Sequence, residues 1–200
     1  MPGTVASTDA ESDEAAMQRF AAGDANAFER LYERHGLRVW RYLLRHVRDA
    51  SLADDLLQDV WFAVARQAQQ YRPTARFTTW VFTMAHHRMV DHWRTAKAHL
   101  SLDAGNDAMT GDGAQSLAET LAADSGFGPL RQALSQELAD ALIDAISQLP
   151  TEQRAAFLLQ AEAGMSVQEI ALTTGVAFET ARSRLRYARQ SLRRMLKEYA

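Results

Sequence analysis

The stretch that most limits what this chain can become runs over residues 166–196, SVQEIALTTGVAFETARSRLRYARQSLRRML. Ser166 stands three residues before Glu169. At that spacing a serine hydroxyl and a glutamate carboxylate satisfy the orphan N–H groups of a helix start. Val167, Ile170 and Ala171 continue it as a short amphipathic helix. Gly175 then supplies a residue that takes a left-handed backbone without steric cost, and a second, longer helix is predicted from about Phe178. A short helix, a glycine turn and a long helix make a helix-turn-helix.

The second helix carries the chemistry. Ala181, Leu185, Ala188, Leu192 and Met195 recur at alternating steps of four and three, which makes one buried stripe. At about 100° per residue, Glu179, Ser183, Arg186 and Gln190 fall on the opposite face, flanked by Arg182, Arg189, Arg193 and Arg194. Residues 177–200 hold seven Arg/Lys and two Glu, a local charge of plus five in a chain whose total is minus three. A solvated basic helix in an ordinary bundle would carry the same charge. Here the charge coincides with the second half of a turn-defined motif, which favours a helix laid in the major groove. Arginines would then hold phosphates, and bases would be read near the helix N-terminus.

Elsewhere no strand-like alternation of useful length appears, so the chain reads as all-α. Residues 1–12 are acidic and read as disordered, and they lack the apolar core of a secretory signal. A helix is expected to about Ala22, a break and recap at Gly23-Asp24, and a helix led by Phe28, Leu31 and Tyr32. A further pattern, Leu37, Trp40, Leu44 and Val47, follows His35-Gly36. Ser51 and Asp54 have capping-box spacing and open a helix to about Gln69, stopped by Arg72-Pro73. A helix over about 78–97 completes an N-terminal domain, residues 13–100.

Residues 101–131 change character. Within 101–130 lie five of the chain's ten glycines, five acids and no base, the composition of a flexible acidic linker, with a short helix allowed near 115–122. From 132 the helical period returns with Leu134, Leu138, Leu142 and Ile146 up to Leu149-Pro150. Thr151 is placed to cap the next helix, which carries Ala155, Leu158 and Leu159 and ends at Gly164. The expected architecture is two small helical domains, 13–100 and 132–200, joined by a tether.

Two helices of the first domain hold more than packing needs. After Ser51, the stripe Leu52, Leu56, Val60 and Val64 is buried, and Asp55, Gln58, Asp59 and Phe62 share the opposite side. A phenylalanine among carboxylates fits a protein contact. Periodicity alone fits equally well a Phe62 packed under a neighbouring helix. The segment 76–94, RFTTWVFTMAHHRMVDHWR, sets Phe82, Met89 and Trp93 on one side and Trp80, Met84, His87, Asp91 and Arg94 on another. With Arg72, Arg76, Arg88 and Lys97 nearby, the second side suits a nucleic-acid strand, rings stacking on bases and cations tracking phosphates. Taken alone, a core that buries both tryptophans explains the pattern better.

Other classes find little support. The chain has no cysteine, which excludes disulfides and thiolate metal or redox sites and fits a reducing, cytoplasmic setting. No apolar run approaches a membrane span. His86, His87, His92 and His99 cluster without HExxH or another ligand-plus-base pattern, so no metal is assigned. Neither a glycine-rich phosphate loop nor a nucleophile elbow is present, so neither cofactor nor catalytic residues are expected.

Taken together, residues 49–67, 75–94 and 149–192 strongly resemble the extracytoplasmic-function class of bacterial RNA polymerase sigma factors, over about 17–100 and 132–196. The resemblance implies a sigma-two-like helical bundle and a sigma-four-like helix-turn-helix domain. It implies that Asp55, Gln58, Asp59 and Phe62 bind the clamp helices of the largest subunit of core polymerase. Arg76, Trp80, His87, Arg88, Asp91 and Arg94 would open the −10 element and capture its non-template bases. Glu179, Thr180, Arg182, Ser183 and Arg186 would face the −35 element of promoter DNA. Glu179 fits two roles there, acceptor from a cytosine amino group or favourable charge at the helix N-terminus. The linker would thread the polymerase cleft, and an anti-sigma partner is common in the family. A net charge of minus three fits a subunit that borrows most of its grip on DNA from a larger partner. A stand-alone dimeric helix-turn-helix repressor or activator is the other reading, and it leaves the Phe62 and Trp80 faces without a purpose.

Overall fold

The computed structural model describes residues 11–102 and 136–199, with side chains given for all of these except 96–102, 136 and 198. Residues 103–131 of the predicted linker with its short helix, the first ten residues and the side chain of His99 lie outside that set, while Ser101 and Leu102 of the predicted linker end α4. The described residues form α1 (Asp13–Ala21), α2 (Ala25–Val47), α3 (Ala50–Gln67), α4 (Phe77–Leu102), α5 (Gln136–Ser147), α6 (Thr151–Ala163), α7 (Val167–Thr174) and α8 (Phe178–Met195). Short 3₁₀ turns follow α3 and α8, and the described residues contain no strand.

Local chemistry fixes most helix ends. The Ser12 hydroxyl accepts from the Ala15 N–H at 3.2 Å and caps α1, which starts at Asp13, so Glu11 and Ser12 of the stretch expected to be disordered belong to the described structure. Gly23, at φ +105°, turns the chain into Asp24, whose carboxylate caps α2 through the Asn26 N–H at 3.1 Å. Three expectations are corrected. Helix α2 runs unbroken through His35-Gly36, because Gly36 is buried against the Tyr32 ring and His35 pairs with Asp13 of α1 at 2.7 Å. The intrinsic cost of a mid-helix glycine, about 1 kcal/mol, is outweighed by that packing. Helix α3 is capped by Asp49, which accepts from the Leu52 N–H at 3.0 Å, while Asp54 accepts from the Trp40 indole at 2.7 Å. Pro150, not Thr151, occupies the N-cap of α6, and no side chain caps it.

Helices α1–α4 close over Met17, Leu31, Tyr42, Leu44, Phe77 and Phe82, all fully buried. Helices α5–α8 close over Ile146, Leu158, Leu159, Ile170 and Leu185. One apolar cluster runs through both groups, so the two halves are packed together, α6 against α2 and α7 against α4. Polar contacts frame the seam. Glu162 of α6 is buried between Arg41 and Arg45 of α2, which are 2% and 6% exposed.

Candidate nucleic-acid interface

The helix-turn-helix forms as its residues require. Ser166 and Glu169 make a reciprocal capping box, with Glu169 N–H to Ser166 Oγ at 3.2 Å and Ser166 N–H to Glu169 Oε2 at 2.8 Å. Gly175 ends α7 at φ +66°, and α8 starts at Phe178. Ala181, Leu185, Ala188 and Leu192 are buried, as the stripe predicts, and Met195 is half-buried. The opposite face is open: Glu179, Thr180, Arg182 and Arg186 are exposed and Ser183 is half-buried. Glu179, Arg182, Ser183 and Arg186 line a groove of about 840 Å³ along α8, and Thr180 lies outside it. Arg182 stands 3.7 Å from Glu179, and the Arg186 guanidinium lies 4.9 Å from the centre of the Tyr187 ring. Glu179 therefore neutralises part of the arginine field in which it sits, and Arg186 is pre-extended by the ring. Arg189 is less available, since it donates to Gln160 of α6 at 2.5 Å.

Helix α4 mixes the two readings of its sequence. Phe82 and Met89 are in the core, while Trp80 and Trp93 are half-buried. The Trp80 ring rests on Tyr71 with centroids 5.0 Å apart, which leaves an edge toward solvent. Asp91 and Arg94 pair with each other at 3.0 Å, both exposed, and Arg88 is half-buried. Arg76 and His87 have partners that the sequence did not signal. Arg76 donates to the Gly164 carbonyl at 2.8 Å and approaches Glu169 at 3.4 Å, and His87 Nε2 meets the Thr173 carbonyl at 3.2 Å. Thr79 completes the seam by donating to Glu169 Oε1 at 2.7 Å.

Burial alone would push the Glu169 carboxyl up. The hydrogen bonds from Thr79 and Ser166 and the charge of Arg76 outweigh it and hold the group at about 2. It is an anion at any physiological pH. Below it, burial of the His86 ring, whose Nδ1 meets the Tyr42 hydroxyl at 2.9 Å, lowers that group to about 4.

The third surface is acidic. Asp55, Gln58, Asp59 and Phe62 all stand exposed on one side of α3. Phe62 is 58% exposed, so it is not packed under a helix of its own half. It borders a groove of about 550 Å³ between α2 and α3, floored by Phe28, Tyr32, Leu57 and Trp61. Sequence reasoning missed the row Arg38, Arg41, Arg45 and Arg48 on α2. Their spacing of three, four and three was visible, but a solvated face has the same spacing.

A basic recognition helix behind a glycine turn, packed beside a helix of aromatic and cationic side chains, defines a two-part DNA-binding transcription protein. Residues 31–99 match Sigma-70 region 2, and residues 139–192 match Sigma-70, region 4. The chain is 34% identical over 185 residues to RNA polymerase sigma factor CarQ of Myxococcus xanthus, covering 91% of this chain and 96% of that one. It is 32% identical over 179 residues to the ECF RNA polymerase sigma factor SigL of Mycobacterium tuberculosis, covering 89% and 93%. The chain belongs to the extracytoplasmic-function class of RNA polymerase sigma factors, which direct transcription initiation at promoters. Its fold resembles CnrH, solved in complex with the cytosolic domain of CnrY, with a TM-score of 0.62 at 20% identity over 95% of this chain and 100% of that one. It also resembles the sigma factor RpoE of Bartonella quintana, solved with the anti-sigma factor NepR, with a TM-score of 0.62 at 20% identity over 85% and 96%.

Proposed function

We propose that the three surfaces divide the work of initiation. Asp55, Gln58, Asp59 and Phe62 dock on the clamp helices of the largest polymerase subunit. Arg76, Trp80, His87, Arg88, Asp91 and Arg94 open the −10 element and hold its non-template strand. Glu179, Thr180, Arg182, Ser183 and Arg186 read the −35 element. The chain catalyses nothing itself and acts in the cytoplasm, with domains at 13–100 and 132–200 and an acidic linker between them. The solved complexes of CnrH and RpoE support an anti-sigma partner for this chain as well.

One observation carries the assignment: an aromatic side chain left 58% exposed among carboxylates, over an apolar groove. Negative charge there repels DNA and favours a basic protein surface, whereas α8 offers the reverse. Transcription in vitro with core polymerase on a genomic library tests the whole reading and yields both promoter elements. In the same system Asp55→Ala/Phe62→Ala should lower polymerase capture by at least about tenfold, or about 1.4 kcal/mol, with the circular dichroism of the fold unchanged. Unchanged capture removes this face from the assignment.

A further inference from the structure

The start of α4 is held from another helix. The Arg76 carbonyl accepts from the Trp80 N–H at 3.1 Å, which makes Arg76 the N-cap residue. Its side chain carries donors only, so it cannot return an acceptor to the first turn as Ser, Thr, Asp or Asn would. Glu14 of α1 does so instead: its Oε1 accepts from the Phe77 N–H at 2.8 Å, across 63 positions of sequence. Phe77 is fully buried and Glu14 is half-buried.

The helix that carries this carboxylate is itself pinned. Glu11 pairs with Arg19 and with Arg30, each at 3.3 Å, and its carbonyl accepts from Arg34 at 2.8 Å. Asp13 pairs with Arg34 at 3.0 Å and with His35 at 2.7 Å. Each exposed pair is weak alone, but together they tie α1 to α2 and leave Glu14 a fixed place from which to reach α4.

The two carboxylates also border an aromatic group. The His35 ring, oriented by Asp13, lies 5.3 Å from that of Phe77 between centroids. Phe77 in turn lies 6.4 Å from Tyr71 and 6.0 Å from Trp80. Burial, with the Glu14 and Asp13 charges nearby, pushes the Tyr71 hydroxyl up to about 12, so the ring on which Trp80 rests stays neutral. Between the buried Tyr71 and Phe77, residues 72–76 all stand exposed. Where that exposed stretch lands is therefore set at Phe77, and Phe77 is held by α1 through its main chain and by His35 through its ring.

We infer that Glu14 is a positioning residue for promoter opening: from α1 it fixes the first turn of α4, and with it the angle at which Arg76 and Trp80 meet the −10 strand. The inference rests on the −10 assignment of those two residues and adds one that touches no DNA. Without the carboxylate, the Phe77 N–H is left unpaired beside a buried ring, or the turn opens to water and carries Arg76 and Trp80 with it. Polymerase capture through the α3 face and −35 reading through α8 stand on other helices and do not depend on this contact.

Glu14→Ala removes the acceptor, whereas Glu14→Gln keeps an acceptor oxygen and drops the charge. Ser12→Ala removes the α1 cap without touching the Phe77 N–H and serves as the stability control. With core polymerase and a promoter recovered from the library, permanganate reactivity of unpaired thymines in the −10 element reads opening. Glu14→Ala should lower opening at least about fivefold at equal polymerase capture and equal −35 protection, and Glu14→Gln should restore most of it. Ser12→Ala, at a comparable fall in Tm, should open the promoter normally. Equal losses from Ser12→Ala and Glu14→Ala overturn the inference, because the stability of α1 would then explain both. A Gln variant as impaired as the Ala variant overturns it too, since the hydrogen bond would not be what matters. So does Glu14→Ala that opens the promoter normally where Trp80→Ala does not. Normal opening by Trp80→Ala instead removes the −10 assignment itself, and the inference falls with it. If Glu14→Ala does not fold, Glu14→Asp, which keeps the charge but shortens its reach, takes its place under the same criteria.

Discussion

Acid should destabilise this protein above the carboxylate range, through two histidines that share one tyrosine. His46 Nδ1 donates to the Tyr42 carbonyl at 2.7 Å, and His86 Nδ1 meets the Tyr42 hydroxyl at 2.9 Å. Burial, with the cations of Arg154 and Arg45 nearby, lowers His46 to about 3, and burial lowers His86 to about 4. Both values lie below the 6.5 of an unfolded histidine, so unfolding takes up two protons below that pH. Stability from this source is complete above 6.5 and drains as pH falls toward 4. From pH 7 to pH 5 each histidine removes about 2 kcal/mol, together about 4 kcal/mol, against a typical total of about 5–15 kcal/mol. Carboxylates hardly titrate in that window, which isolates the effect. Urea titrations between pH 7 and pH 5 measure it, and His46→Leu or His86→Leu should each remove about half of the slope, whatever it does to stability at pH 7. A flat profile, or a slope indifferent to both substitutions, would refute the assignment of neutral buried rings.

Two further outcomes follow from single residues. Gly175→Ala meets no atom within 4 Å but must hold φ +66°, so it should cost about 1 kcal/mol of thermal stability, read as a fall in Tm, with the helix-turn-helix otherwise intact. Arg186→Ala should weaken −35-dependent transcription by about 1–3 kcal/mol of binding while leaving polymerase capture unchanged; full activity on such a promoter would take Arg186 out of the reading set.

What was legible in the sequence acts over a few residues. The Ser166–Glu169 box, the left-handed Gly175 and the stripe from Ala181 to Leu192 each satisfy their own neighbours, so they form wherever the motif is placed. The outward face of α8 follows from that stripe by geometry. Phe62 is different, since periodicity gives its side of the helix but not what covers that side, and only the packed structure leaves it open. At His35-Gly36 a local break signal lost to the Tyr32 ring one turn earlier in the same helix and to tertiary contact with Asp13. The Arg41, Arg45 and Glu162 cluster was illegible because its members lie more than a hundred positions apart. An arginine on a helix looks the same in sequence whether it meets water or a buried carboxylate.

Glu169 shows how the local and the distant levels are joined. A capping box needs one carboxylate oxygen, and here Oε2 takes both the Ser166 N–H and the Ser166 hydroxyl, at 2.8 and 2.7 Å. Oε1 is left facing outward, and Thr79 of α4 donates to it at 2.7 Å. The residue that starts the first helix of the DNA-reading motif therefore also presents an anion to the helix assigned to the −10 strand. Its low pKa follows from having both jobs at once: donors from two halves of the chain converge on one charge.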